Sequence, residues 1–430
     1  MALGTSSTWV LQGVNRSFAV YDVSGNIQSG WPKMFQSFFG VPSPGSCAPR
    51  GPNLFNPRAF YDPNDQRFWA EVLENVGVRD TCPQLQSVVW IAVSQTNNPN
   101  GLWNVYSFDL TQGTQNYGDF SQFGYDQQAV YFSCDMFNLP ASTGTFQNEE
   151  TFAFNKAGLE AGQTVTPYGF TNFMSGGVQV NGVQPVEVEA IKGAGPKAGL
   201  FINSFDYNSG GGNCAKGCSG MTVWAIANPG TPSQTLSSFL VPTTSYAQAP
   251  HVDQPGCTQC LWPLDPGIPG TPIWRNGQIT FALSTAVNNG TQSVAGVFWG
   301  QIGVSLGSNG AISNASVVQS GYFSFSGDTS AIFPTIMPNV NNDLVMVFEE
   351  TSSTLYPSVL YAVKPASFTP GQFPDGGNML QAGSASSPSP RWGDYTAVSA
   401  TGAGANSVWF AGEYENASQN WATCIGAVNP

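Results

Sequence analysis

Two short segments combine a carboxylate with an aromatic residue in a pattern that suits binding or catalysis. Residues 391–395 read Arg-Trp-Gly-Asp-Tyr, and residues 118–120 read Gly-Asp-Phe. If Asp119 and Asp394 meet on one axis, they could bind Ca²⁺ or act as an acid/base pair in glycoside hydrolysis. Alternatively, each Asp accepts hydrogen bonds from its own turn. The second copy favours this structural role, because one catalytic site does not need two copies. Asp119 and Asp394 remain our candidate metal ligands.

Two glutamates add a second possibility for acid chemistry. Glu349 and Glu413 end apolar runs in neighbouring repeats of the sequence, so they could face a shared cleft. The alternative is that both are solvated loop residues. Our candidate catalytic residues are therefore Asp394, Glu349, Glu413 and Arg391.

The candidate ligand-binding residues lie at expected starts of inner strands or on long loops. Exposed tryptophan and tyrosine rings in such loops can stack on sugars. Because the chain has a single histidine, a Ser-His-Asp or two-histidine site has one candidate at most, and a loop hydrogen bond is its favoured role. The predicted ligand-binding set is Arg58, Asp119, His251, Asp253, Trp262, Trp274, Arg391, Trp392 and Tyr395.

Repeated strands are the elements that would position these residues. Seven apolar runs recur every 58 to 79 residues and are bordered by hairpin-type Asn, Asp and Gly turns. No segment shows the period of an amphipathic helix. We predict an all-β chain that forms one seven-bladed β-propeller over residues 1–430, with four antiparallel strands per blade. Six blades is the alternative. The N-terminal segment is expected to give a strand to the last blade and so close the ring.

The sequence adds two features to the predicted propeller: two long loops and eight cysteines. Insertions are expected around residues 206–220 and 244–270, where long loops on a rigid ring usually carry binding sites. Disulfides are the favoured state of the paired cysteines, because a Lys-poor, Asn-rich chain suits an oxidising compartment. The alternative is a zinc site whose four thiolate ligands are Cys214, Cys218, Cys257 and Cys260. The disulfide candidates are Cys47, Cys82, Cys214, Cys218, Cys257 and Cys260.

Composition narrows the function classes. Hydrophobic residues make up 41% of the chain, and 26 acidic residues outnumber 13 basic ones for a net charge of -13. A nucleic-acid partner is not expected, since phosphate binding needs a basic patch. No apolar run is long enough to span a bilayer. The first residues do not form a signal peptide, and we expect a secreted, extracellular mature form that lacks one.

Several segments carry a family resemblance. Residues 391–395, 410–414 and 421–426, with 10–15 and 91–97, resemble a group of secreted bacterial β-propeller proteins that are broadly sialidase-like. The resemblance implies the fold but no activity, since the group has no common one. The Asp-box turns of true sialidases are absent; the segment 324–329 comes nearest and does not match. Convergence of Arg58, Arg275 and Arg391 into an arginine triad is an untested hypothesis.

We interpret the chain as an extracellular propeller that binds a polysaccharide or a cell-surface glycan or protein at one mouth of the ring. One alternative is a glycoside hydrolase or polysaccharide lyase that uses carboxylates at the mouth. Another is a structural subunit that self-assembles in a surface layer or filament, which a sparsely charged surface permits. No cofactor is required by these functions, although Ca²⁺ fits the acidic candidates.

Overall fold

The computed structural model describes residues 1–142, 144–171, 173–175, 177–204, 217–264, 267–374, 376–402 and 404–430. Seven sheets, antiparallel except for one strand pair at the inner edge of the fifth, follow one another around a ring, so the predicted seven-bladed β-propeller is confirmed. No helix among these residues is both long and apolar enough to cross a membrane.

The first three blades each use four consecutive strands. Blade 1 contains β1 (Ala2–Thr5), β2 (Trp9–Val14), β3 (Ser17–Asp22) and β4 (Lys33–Met34), followed by helix α1 (Phe35–Phe39) and a 3-10 turn at Gly45–Cys47. Blade 2 contains β5 (Asn53–Asp62), β6 (Arg67–Val76), β7 (Gln86–Ser94) and β8 (Trp103–Asp109). Blade 3 contains β9 (Asn116–Tyr125), β10 (Ala129–Asn138), β11 (Phe146–Asn155) and, after helix α2 (Lys156–Glu160), β12 (Tyr168–Phe170).

The middle of the chain is less regular. The hairpin of β13 (Met174–Ser175) and β14 (Val178–Gln179) precedes blade 4, which is built from β15 (Gln184–Pro185), β17 (Ala198–Ser204), β18 (Cys218–Ala227) and β19 (Thr235–Tyr246). Blade 5 begins with β16 (Glu187–Val188), which pairs in parallel with β22 (Ile273–Arg275), and continues with β23 (Gln278–Asn288), β24 (Ser293–Leu306) and β25 (Ile312–Phe323). Between β19 and β22 lies a hairpin of β20 (Val252–Gln254) and β21 (Cys257–Leu261).

The last two blades complete the ring. Blade 6 contains β26 (Ser330–Pro338), β27 (Leu344–Thr351), β28 (Ser358–Lys364) and β29 (Asn378–Gln381), and blade 7 contains β30 (Ala397–Ala400), β31 (Val408–Glu415) and β32 (Trp421–Val428). Every residue of β26 and β27 is buried, because these strands are covered by neighbouring blades on both faces. This burial explains the continuous apolar runs in the sequence.

The N-terminal segment closes the ring in a different way from the one expected. Strand β1 pairs with β2 of its own blade, whereas blade 7 keeps three strands, so the prediction of a donated strand is wrong. Blades 1 and 7 instead pack through a shared apolar cluster that includes Leu3 and Ala397. The Thr5 backbone N–H donates to Ser399 Oγ at 3.0 Å across this contact. Closure therefore depends on packing between blades.

The structure confirms one predicted disulfide and contradicts another. Cys47 and Cys82 form a disulfide. Cys257 and Cys260 are free thiols in the β20–β21 hairpin, so the disulfide expected between them is wrong. Cys218 is disulfide-bonded, which removes it as a zinc ligand. Cys214, like most of the insertion expected at residues 206–220, lies outside the described residues.

Inner strands share a bulge close to one mouth of the ring. The pairing register shifts in β5 between Phe55 and Arg58 and in β26 between Ile332 and Thr335. A residue at positive φ accompanies the irregularity in blades 2, 3 and 6: Asn56 at 51°, Phe120 at 56° and Phe333 at 52°. Bulges re-aim side chains and bend strands. Asn56 and Phe120 line a cleft at this mouth, whereas Phe333 is buried.

Candidate functional site

A cleft of about 440 Å³ opens at the mouth where the inner strands begin. Starts of β5 and β9 and ends of β6 and β10 surround it, together with the segment before β30. A separate cavity of about 20 Å³ lies among the innermost strands, where Arg58, Glu187 and Thr396 line it. The cleft is lined by Asn15, Arg16, Asn53, Leu54, Phe55, Asn56, Asn75, Val78, Arg79, Tyr117, Asp119, Phe120, Phe137, Leu264, Arg391, Asp394 and Tyr395.

The two Gly-Asp-aromatic segments meet in this cleft. Asp119 and Asp394 both line it, and the ring centroids of Phe120 and Tyr395 lie 6.2 Å apart. Asp119 Oδ1 accepts a hydrogen bond from the Phe120 backbone N–H at 2.8 Å, which is the turn role expected from the sequence. Asp394 forms an ion pair with Arg391 at 2.9 Å and has φ 111°. The structure thus gives each Asp both a structural contact and a place in the cleft wall.

Burial sets the electrostatics of this wall. It raises the pKa of Asp394, while the Arg391 guanidinium acts in the opposite direction. Arg58 lies behind Tyr395, with its guanidinium carbon 4.2 Å from the ring centroid, and its Nε donates to the Ser121 carbonyl at 2.9 Å. Burial lowers the pKa of Arg58 and raises the pKa of Tyr395. Arg58 therefore supports the wall from behind, outside the cleft lining.

Glu349 and Glu413 are neighbours, as their positions at the ends of adjacent second strands predicted. The Glu413 backbone N–H donates to Glu349 Oε1 at 3.2 Å, and the Trp392 indole N–H donates to Glu349 Oε2 at 2.5 Å. Burial raises the pKa of Glu349 well above its usual value and that of Glu413 to about 7. Neither residue lines the cleft. Glu349 is buried and Glu413 is half-buried, and together they form an acid pair beneath the Arg391–Asp394 segment.

Two of the three tryptophans proposed to stack on sugars are in the interior. Trp274 belongs to the core between blades 4 and 5, and Trp392 packs with Ile332 and Phe333, so the expectation that their rings are exposed is wrong. Indole rings fill the wedges between blades because these wedges demand large side chains. Trp262 is half-buried, and the Arg391 guanidinium carbon lies 5.9 Å from its ring centroid.

His251 and Asp253 lie at the β20–β21 hairpin. His251 is exposed, and Asp253 Oδ1 accepts a hydrogen bond from the Gln259 backbone N–H at 2.6 Å. The Asp253 carbonyl accepts from Thr351 Oγ1 at 2.8 Å, which ties the hairpin to blade 6. Neither candidate belongs to the cleft lining.

The cleft also contains residues that sequence reasoning did not single out. Tyr117 and Phe137, which lie opposite each other on β9 and β10, have ring centroids 6.0 Å apart. Arg16 and Arg79 are exposed on its rim. The sequence feature that could have identified Arg16 and Arg79 is their position next to the predicted turns at strand ends. Arg275, by contrast, is buried and pairs with Glu189 at 3.5 Å, away from the cleft lining, so the proposed triad with Arg58 and Arg391 is wrong.

Acidic side chains that could hold a metal converge elsewhere in the described residues. Asp62, Asp65 and Glu160 offer carboxylate oxygens within 4.8 Å of one another. The Lys156 ammonium binds two of them, with a distance of 2.8 Å to Asp65 Oδ2, so these two carboxylates already have a cationic partner. Asp119 and Asp394 belong to no such group within the described part of the chain. Calcium binding at these two residues stays a prediction.

Comparisons with solved structures return propellers at low similarity. The parainfluenza virus 5 hemagglutinin-neuraminidase ectodomain is 9% identical, with 84% of this chain and 77% of that chain covered and a TM-score of 0.42. The Hadza microbial sialidase Hz136 is 8% identical, with coverages of 97% and 74% and a TM-score of 0.43. The Bacillus subtilis arabinanase Arb43A is 12% identical, with coverages of 84% and 92% and a TM-score of 0.32. No family model and no curated protein matches the chain. The fold assignment therefore rests on the blades of this chain itself.

Proposed function

We propose that this propeller binds a carbohydrate in the mouth cleft. The observation that carries the proposal is the lining of the 440 Å³ cleft, which combines aromatic rings with amide and charged side chains. Sugars present apolar C–H faces and rings of hydroxyl groups, so they need aromatic surfaces next to side-chain donors and acceptors. Ligand sites commonly combine a concave, partly apolar surface with a few polar groups that fix orientation.

The roles within the cleft follow from the contacts. Phe137 and Phe120 are only half-buried, and each keeps a neighbouring ring, Tyr117 and Tyr395, that limits its rotation. A pre-oriented ring loses little conformational freedom when a sugar packs against it. Asn56, which donates to Asp119 Oδ1 at 3.3 Å, is placed beside these rings and can bond sugar hydroxyl groups.

A panel of purified polysaccharides, titrated by calorimetry, tests the proposal. Phe137→Ala should weaken binding at least about ten-fold, which corresponds to about 1.4 kcal/mol. Trp421→Ala is the matched control, because Trp421 is 51% exposed on the outer strand of blade 7 and should not affect binding. A panel that gives no binding to the unaltered protein, or equal effects of the two variants, would reject carbohydrate binding at this cleft.

Hydrolysis is the second candidate, favoured by one observation. Two carboxylates, Asp119 and Asp394, line the same cleft, and burial raises the pKa of Asp394, as suits a general acid. Asp119→Asn and Asp394→Asn should then each abolish sugar release from a bound polysaccharide. Product release that persists in both variants would exclude this pair as the catalytic residues.

A further inference from the structure

A groove next to the mouth holds much of the chain's exposed positive charge. It has a volume of about 570 Å³, and Arg16, Arg50 and Arg79 all line it. The chain has only 13 basic residues against 26 acidic ones, so three arginines in one groove stand out against an acidic protein. All three are exposed, and none of them forms an ion pair within the described residues.

The two loops that carry Arg50 and Arg79 are fixed to each other. The Cys47–Cys82 disulfide joins them. Beside it, the Thr81 backbone N–H and hydroxyl both donate to the Cys47 carbonyl, at 3.2 and 2.9 Å. A cross-linked pair of loops holds its side-chain origins in place before a ligand arrives, which lowers the entropic cost of binding.

Among the described residues, Asp80 is the one acidic residue that lines this groove, and its carboxylate accepts hydrogen bonds from the backbone. Asp80 Oδ1 accepts hydrogen bonds from the N–H groups of Gly77 and Cys82, at 3.0 and 2.9 Å. The carboxylate therefore shapes the turn that presents Arg79. Guanidinium groups without an internal anion can bind carboxylate or sulfate oxygens of a ligand in bidentate geometry.

The groove is continuous with the mouth cleft. Arg16, Asn53, Leu54 and Arg79 line both, so one extended surface runs from the axis over blades 1 and 2. Its neutral floor includes Met34, which is 55% exposed. A long, open surface of this kind fits a polymer better than a small anion.

We propose that the groove binds an anionic polysaccharide, one that carries carboxylate or sulfate groups, through Arg16, Arg50 and Arg79. The mouth cleft then holds a neighbouring sugar of the same chain. This inference rests on the proposed carbohydrate binding and specifies its class of ligand. The acidic surface of the rest of the protein repels the polymer elsewhere and so confines it to the groove.

Calorimetric titration with polygalacturonate, dextran sulfate, neutral dextran and poly-glutamate tests the inference. At least one of the two acidic polysaccharides should bind about ten-fold or more tightly than dextran, and added salt should weaken it. Arg79→Gln and Arg50→Gln should each weaken it about three- to ten-fold, as expected for exposed charge-assisted contacts. Arg79→Lys should restore part of the affinity. Lys197→Gln is the matched control, because this exposed lysine precedes β17 at the face away from the mouth.

The outcomes separate the two proposals. Equal binding of dextran and acidic polysaccharides, with no loss in the arginine variants, would overturn the anionic class and leave carbohydrate binding intact. Poly-glutamate that binds as tightly as both acidic polysaccharides would show that charge alone is recognised, which also overturns the inference. Absence of binding to every glycan, including those of the polysaccharide panel described above, would remove both. The two polysaccharide arms distinguish carboxylate from sulfate recognition.

Discussion

Glu150 offers a quantitative test of how burial governs the stability of this propeller. It lies on β11 with a buried side chain, and its Oε2 atom has no hydrogen-bond partner. Burial raises the pKa of Glu150 from 4.5 to about 7, and Asp109 adds a smaller increase. Because a ten-fold change in acidity corresponds to about 1.4 kcal/mol, ionising this group in the folded state costs about 3 kcal/mol.

The sign of the pH dependence follows from the raised pKa. The folded state holds this proton more tightly than the unfolded state, so the stabilisation is complete below pH 4.5 and is lost as the pH rises through about 7. Glu150→Gln removes the ionisation. Relative to the unaltered protein, the variant should gain about 2 to 3 kcal/mol of unfolding free energy between pH 4.5 and pH 8. Any cost of burying the amide is the same at both pH values and cancels.

Urea denaturation followed by tryptophan fluorescence at pH 4.5, 6 and 8 measures this gain. Asp328→Asn serves as the control, because a hydrogen bond from the Ser353 side chain, helped by its backbone N–H, lowers the pKa of the half-buried Asp328. Its contribution is complete above pH 4 and should not change between pH 4.5 and 8. A free-energy difference between Glu150→Gln and the unaltered protein that is the same at pH 4.5 and pH 8 would refute the reasoning.

Three further outcomes are expected from the described contacts. Replacing both Cys47 and Cys82 by Ala opens a cross-link between residues 35 apart and should lower the unfolding free energy by about 3 to 4 kcal/mol, measured by urea denaturation; an unchanged midpoint would contradict it. Trp392→Phe removes the hydrogen bond to Glu349 and should cost about 1 to 3 kcal/mol of stability without weakening glycan binding, since the ring lies outside the cleft. Cys257 should react with iodoacetamide in the native, unreduced protein, as mass spectrometry would show; lack of labelling would contradict a free thiol.

The blade architecture could be predicted because each blade repeats the same pattern of buried strands and turns. The Asn276–Gly277 turn, with both residues at positive φ, shows how local sequence sets such a hairpin. Strand β1 was assigned to the wrong blade for the opposite reason. It has four residues, and Gly4 is required by contact with blade 2, since a Cβ there would lie 2.7 Å from the Phe60 carbonyl carbon. Long-range packing of this kind leaves no periodic signal.

Site residues were harder to predict because the packing of neighbouring blades decides which side chains are exposed. Trp274 and Trp392 were expected to be exposed rings that stack on sugars. Both instead pack in the core between neighbouring elements. Conversely, Phe137 lies at the end of β10 and Arg79 lies in the loop after β6, and only the fold shows that both line the cleft. The sequence alone does not show which strand ends and loops meet at one cleft.

The repeated Gly-Asp-aromatic segment gains a different meaning from the fold. In the sequence, a second copy argues for a structural role, because one catalytic site does not need two. In a propeller, however, the inner strands of all blades meet at one axis, so equivalent positions of blades 3 and 7 become neighbours, as the 6.2 Å between Phe120 and Tyr395 shows. Asp119 and Asp394 therefore line a single cleft, each keeping a contact of its own turn. Repetition in such a ring thus brings two copies of one segment to a single cleft.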